Sequence, residues 1–137
     1  WEHVVPEFFK RVRRSKHTAL NGVLEFPIQG TGDETRAFCF IDDAVQAIKL
    51  CSDIGVSGEI YNVGVDNETT ISSLAQTIGK ICGLELDLIK NKQLDGSTTR
   101  RCPDISKIKE LGYFPDTSLD DGLQRCSEFY LKSELPN

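Results

Sequence analysis

Two arginine-bearing stretches carry the residue types best suited to gripping an anion. In Gly30-Thr31-Gly32-Asp33-Glu34-Thr35-Arg36 a guanidinium comes after a glycine turn, and in Thr98-Thr99-Arg100-Arg101-Cys102-Pro103-Asp104 a pair of them closes a polar loop. A guanidinium fork matches two phosphate oxygens bidentately. Two such groups at separate loop-to-element junctions are what a diphosphate clamp requires. Each also has a plainer reading: an ion pair of Arg36 with Asp33, Glu34 or Asp42, and a solvated charge pair at Arg100-Arg101. Local sequence alone favours the plainer readings.

The glycine turn itself makes a poor phosphate cradle. A dinucleotide loop needs a third glycine after Gly32 and a helix opening there. Thr35 holds that place and a strand pattern comes next. Asp33 and Glu34 would also repel a phosphate. The stretch therefore predicts a hairpin turn whose glycines supply positive φ. Asp42-Asp43 has the look of a catalytic carboxylate pair. Its place at a helix start predicts capping instead, so both stay outside the candidate site. The cysteines at 39, 51, 82, 102 and 126 are odd in number and lack metal-knuckle spacing. They are expected as reduced, mostly buried thiols with no metal site.

The elements that must position these residues emerge from periodicity. Val4, Val5, Phe8, Phe9 and Val12 recur at helical spacing and predict a helix over 3–15 with a basic end. Residues 24–30 predict a strand, with Pro27 marking an edge. Residues 36–41 predict a second strand, then a helix from Asp42 or Asp43 with Ala44, Val45, Ala47, Ile48 and Cys51 on its apolar face. Residues 58–65 predict a third strand. Thr70 opens a helix closed by Gly83, and residues 84–89 alternate as a strand. A polar loop spans 90–100. Asp104 caps a short helix carrying Ile105, Ile108 and Leu111. Ser118 and Asp121 form a capping box for a last helix over 119–133. Strands and helices alternate without an internal repeat, so the class is α/β.

The bulk properties narrow the function. A chain of 137 residues with 39% apolar content suits one domain, residues 1–137. The net charge of −5 argues against a nucleic-acid surface, although residues 10–17 are rich in Lys and Arg. Cations at the end of a helix stabilise the helix itself. No apolar run approaches a membrane span and no signal peptide is visible. The chain opens at Trp1 rather than Met, which leads us to expect a piece of a longer protein.

Three stretches in order, "FPIQGTGDETRAFCFIDDAVQAI", "GEIYNVG" and "RRCPDISKIKELGYFPDTSLDDGL", closely resemble the C-terminal half of the extended short-chain dehydrogenase/reductase family. The resemblance runs over nearly the whole chain. It implies the C-terminal, substrate-binding portion of a Rossmann-type NAD(P)-dependent nucleotide-sugar epimerase, dehydratase or decarboxylase. Carried over by position, Arg36 contacts the diphosphate and Arg101 the ribose or a phosphate. Pro27, Ile28 and Gln29 lie beside the base, His3 and Val4 line the nucleotide, and Ile71 borders it as an apolar contact. The glycine turn then aims Arg36 rather than cradling phosphate.

The family's chemistry also needs a Tyr with Lys four residues on and a glycine-rich NAD loop. Val65, Thr117 and Glu134 stand at that spacing after Tyr61, Tyr113 and Tyr130, and no complete loop exists. The resemblance places both features ahead of Trp1. It implies that this stretch binds no NAD or NADP, has no catalytic residue and is inactive alone. The full-length enzyme is expected as a cytoplasmic homodimer acting on a UDP-, TDP-, CDP- or GDP-sugar. The alternative is a non-catalytic nucleotide-sugar-binding module.

Overall fold

A computed structural model describes residues 3–92 and 96–132. The helix α1, Val4–Ser15, buries Phe8, Phe9 and Val12, the stripe its periodicity marks. Strand β1, Val23–Ile28, buries Leu24, Phe26 and Ile28 and turns Val23, Glu25 and Pro27 outward. It pairs in parallel with β4, Glu85–Lys90, in a register running from Val23↔Glu85 to Ile28↔Lys90. Its other side has no strand partner among the described residues, in keeping with Pro27 as an edge residue. A parallel pair needs a crossover, and the chain between supplies β2 (Thr35–Ala37), α2 (Ile41–Ile54), β3 (Glu68–Thr70) and α3 (Ile71–Ile81).

α3 lays Leu74, Ala75 and Ile78 on the β1–β4 pair and on α1, forming the main core with Leu86 and Leu123. Thr70 is its N-cap, accepting from the Ser73 amide at 3.0 Å. The last helix, α5 (Leu119–Lys132), carries half of the expected capping box: the Asp121 amide donates to Ser118 Oγ at 3.1 Å, while the Asp121 carboxylate accepts from the Ser118 hydroxyl at 2.6 Å rather than from its amide. The predicted end of that helix at 133 lies outside the described residues, as do residues 93–95 of the polar loop. A second core joins Ala47 of α2 to Ile105, Ile108 and Tyr113, around the short helix α4, Ser106–Lys109. The cap expected at Asp104 falls one residue late: Ile105 is the N-cap of α4, and Asp104, just ahead of it, accepts from the Ser106 amide at 2.9 Å. The five cysteines are free thiols, each half-buried. Among the described residues no helix is long and apolar enough to cross a membrane.

Five further expectations are corrected. The strand expected over 36–41 stops at Ala37, because Ile41 already opens α2. The strand expected over 58–65 is absent: residues 60–63 have no backbone partner among the described residues, and a strand is defined by its neighbour. The glycine turn is no hairpin, since β1 and β2 belong to different sheets. Asp42 and Asp43 do not cap α2, whose N-cap is Phe40. Asp42 pairs with Arg125 of α5, and the buried Asp43 accepts from the Asp116 and Thr117 amides. The apolar face assigned to α2 also shifts, because Val45 and Ile48 are exposed while Asp43 and Ala47 are buried.

Candidate functional site

The arginines are placed by a small second sheet of order β3-β2-β5, where β5 is Arg100–Arg101. β2 runs antiparallel to β3 and parallel to β5, with Thr35 opposite Arg100 and Arg36 opposite Arg101. Side chains alternate across a strand, so Arg36 and Arg101 share one face and Thr35 and Arg100 the other. On the far face one carboxylate ties the three strands together. Glu68 of β3 accepts from Thr35 Oγ1 at 2.6 Å and from Arg100 Nε and Nη2 at 2.9 and 2.6 Å. The Arg100-Arg101 pair is thereby split: Arg100 is neutralised, while Arg101 has no carboxylate partner among the described residues.

Arg36 makes none of the ion pairs its neighbours suggest. Its guanidinium donates to the carbonyls of Thr35 and Thr98 at 2.7 Å each, and more weakly to Thr99. It thereby cross-links the turn to the loop ahead of β5. The turn itself is set by Gly30 and Gly32, with φ of +81° and +84°. Glu34 folds back beneath it, accepting from the Thr31 amide at 3.1 Å and the Gly32 amide at 2.9 Å. A Cβ on Gly30 would lie 2.2 Å from Glu34 Oε1, so the close approach needs glycine there. Burial pushes the Glu34 carboxyl up. Its own amide, those of Thr31 and Gly32, and the charge of Arg36 outweigh burial and hold it below the usual range.

A cleft of about 780 Å³ opens beside this turn. Its walls are His3, the N-cap of α1, then Val4, Glu7, Phe8 and Arg11 of α1, Gln29, Gly30 and Glu34 around the turn, Ile71 at the start of α3, and Arg36, Ser97 and Arg101. Of the residues the sequence singles out, His3, Val4, Gln29, Arg36, Ile71 and Arg101 come together here. Pro27 and Ile28 do not line it. Strand alternation sends the Ile28 side chain into the core at 1% exposure and the Pro27 ring to solvent.

Sequence reasoning misses Glu7, Arg11 and Glu34. Arg11 reads as part of a basic helix end. Positions 3, 4, 7, 8 and 11 nevertheless form one helical stripe, a signal present in the sequence. The Arg11 guanidinium lies 4.1 Å from the Phe26 ring centroid and donates to the Pro27 carbonyl. Burial lowers its pKa against the opposing charge of Glu7.

The arrangement suits an elongated anion: three guanidinium groups, an apolar wall of Val4, Phe8 and Ile71, and a volume in the range of small-molecule sites. It does not suit the pyrophosphate of a dinucleotide. The amides of Thr31 and Gly32 that would meet it are taken by Glu34, and the turn leads into β2 rather than a helix N-terminus. Among the described residues no cluster of His, Cys, Asp and Glu could hold a metal ion.

Known proteins share this chain's sequence and shape. The model of the NAD dependent epimerase/dehydratase family matches residues 2–64. GDP-L-fucose synthase 1 of Arabidopsis thaliana is 34% identical over 131 residues, covering 96% of this chain and 40% of that protein. The UDP-N-acetyl-alpha-D-glucosaminuronate decarboxylase of Bacillus cytotoxicus is 30% identical, with 96% and 40% covered. Among solved structures, UDP-glucose 4-epimerase of Thermotoga maritima with UDP-glucose superposes with a TM-score of 0.81 at 29% identity, over 95% of this chain and 40% of that one. The chain thus spans about 40% of the length of the relatives it matches.

Proposed function

Proceeding from a chain that belongs to the NAD dependent epimerase/dehydratase family, we propose that residues 1–137 form the nucleotide-sugar-binding, C-terminal domain of a longer enzyme. The observation that carries this reading is the register setting Arg36 opposite Arg101, so that both line one cleft with an apolar wall. In this reading Arg101 meets the diphosphate directly. Arg36 meets it with the donors left over from the Thr98 and Thr99 carbonyls. Val4 and Ile71 pack on the nucleoside, and His3 and Gln29 offer polar contacts. Within the longer protein, NAD or NADP supplies a transient oxidation of the bound sugar. The residues of this chain hold and orient the substrate, and the fate of the keto sugar makes the enzyme an epimerase, a dehydratase or a decarboxylase.

Titration calorimetry of the full-length protein with nucleoside diphosphates tests this. Arg36→Ala and Arg101→Ala should each cost about 1.5–3 kcal/mol of binding, the scale of a charge-assisted hydrogen bond. Unchanged affinity in both variants would sink the assignment.

A second reading is a non-catalytic binding module, in which no tyrosine of this stretch or ahead of it serves as the base. The Tyr113 hydroxyl is buried and donates to the Gly64 carbonyl, and burial raises its pKa, so it is no proton acceptor for a sugar. The Tyr61 hydroxyl accepts from the Val56 amide. N-terminal sequencing of the protein from its source cells decides. A Tyr-x-x-x-Lys ahead of Trp1 supports the enzyme, and a native chain beginning near Trp1 supports the module.

A further inference from the structure

The geometry points to guanine as the base this cleft selects, an inference that rests on the nucleotide-sugar reading and adds the nucleobase to it. Glu7 and Arg11 lie four positions apart in α1 and both line the cleft. Four residues of helix rise by about 6 Å, so one turn sets the two heads side by side on one face. Opposite charges at this spacing commonly pair, yet no ion pair joins these two. The Glu7 carboxylate accepts no hydrogen bond among the described residues. The Arg11 guanidinium carbon lies 4.1 Å from the Phe26 ring centroid with one amino group on the Pro27 carbonyl, and its other donors have no partner among the described residues. The cleft therefore presents a two-pronged acceptor beside a fixed two-pronged donor.

A base that answers both must carry two adjacent donors next to two adjacent acceptors. Guanine does: N1–H and the N2 amino group face a carboxylate, while O6 and N7 face a guanidinium. Uracil and thymine carry one ring N–H between two carbonyls, so one Glu7 oxygen is left against a carbonyl lone pair. Cytosine and adenine have an amino donor but no ring N–H beside it. Val4 and Phe8, on the same stripe of α1, supply an apolar surface for the ring.

The experiment is a calorimetric series on the full-length protein with GDP, UDP, CDP, dTDP and inosine diphosphate. GDP should bind at least about tenfold tighter than UDP, the discrimination expected of one good bidentate pair. Inosine diphosphate lacks only the N2 amino group and should fall between them. Glu7→Gln should remove the difference between GDP and inosine diphosphate. Arg11→Lys, which keeps the charge but loses the fork, should weaken GDP more than UDP. Arg101→Ala should weaken every diphosphate alike. UDP binding as tightly as GDP, or a Glu7→Gln protein that still separates GDP from inosine diphosphate, overturns the guanine assignment and leaves the nucleotide-sugar reading standing. Failure of all five diphosphates to bind overturns both.

Discussion

Glu34 shows how one side chain converts a glycine turn from a phosphate cradle into a bracket. Its carboxylate takes the amides of Thr31 and Gly32 that an anion would use, so the turn serves only to aim β2 and its Arg36. Glu34→Ala leaves the buried Gly32 amide unpaired and takes the partner from the more exposed Thr31 amide, which should destabilise the fold by about 1–3 kcal/mol, the penalty of one buried orphaned group. Chemical denaturation at pH 7 checks it, and a loss below about 0.5 kcal/mol, the scale of an ordinary surface substitution, would refute it. The same carboxyl predicts a pH dependence. Its folded pKa is depressed, so its stabilisation is complete above the unfolded value of about 4.3 and fades as pH falls through the folded value. Glu34→Gln should flatten that acid limb of the stability curve.

Single residues are legible in the sequence where a motif fixes them and silent where packing does. Arg36 and Arg101 are readable from their junctions. Ile28 is not excluded by sequence, because a strand's register decides which face each residue takes. Arg11 hides in a cluster of cations whose plainest explanation is the helix end.

Elements divide the same way. α1, α3 and α5 are readable because their stripes and caps lie within one segment. The strand expected over 58–65 fails because pairing depends on a neighbour that local sequence does not contain. β5 is the extreme case: two exposed residues, held by two register pairs and by Glu68. Glu68→Gln should therefore weaken nucleoside diphosphate binding although Glu68 does not line the cleft, by freeing β5 and with it Arg101. Arg101→Ala in the Glu68→Gln background should then cost less than it does alone, and full additivity would count against the coupling. α3 gives an opposite test. Gly79 sits mid-helix, where alanine gains about 1 kcal/mol in propensity. A Cβ there would lie 2.7 Å from Leu86 Cγ and 3.0 Å from the Leu84 carbonyl oxygen. Overpacking costs typically about 1–3 kcal/mol, so the clash wins and Gly79→Ala should lower the melting temperature. A rise would show that the α3–β4 contact yields.

The whole molecule exposes more surface than its mass calls for. Its accessible area is 8940 Å², whereas a closed monomer of 15.3 kDa is expected to show about 7,100 Å². The surplus includes apolar side chains on neighbouring turns of α2, with Ile41, Val45 and Ile48 at 65%, 56% and 62% exposure, and continues through Ile54, Val56 and Ile60. Beside them the backbone of residues 60–63 is unpaired among the described residues, and a free extended edge beside apolar side chains is a template for another strand. The 137-residue chain alone should therefore self-associate as concentration rises. Light scattering from low to high micromolar concentration reads this directly. Val45→Lys with Ile48→Lys should suppress the association without unfolding, because neither side chain is in a core. A monomer across the whole range would mean that this face is stable in water. Association unchanged by the double lysine variant would move the contact elsewhere, leaving the open edge at 60–63 as the next place to block, with Ile60→Pro.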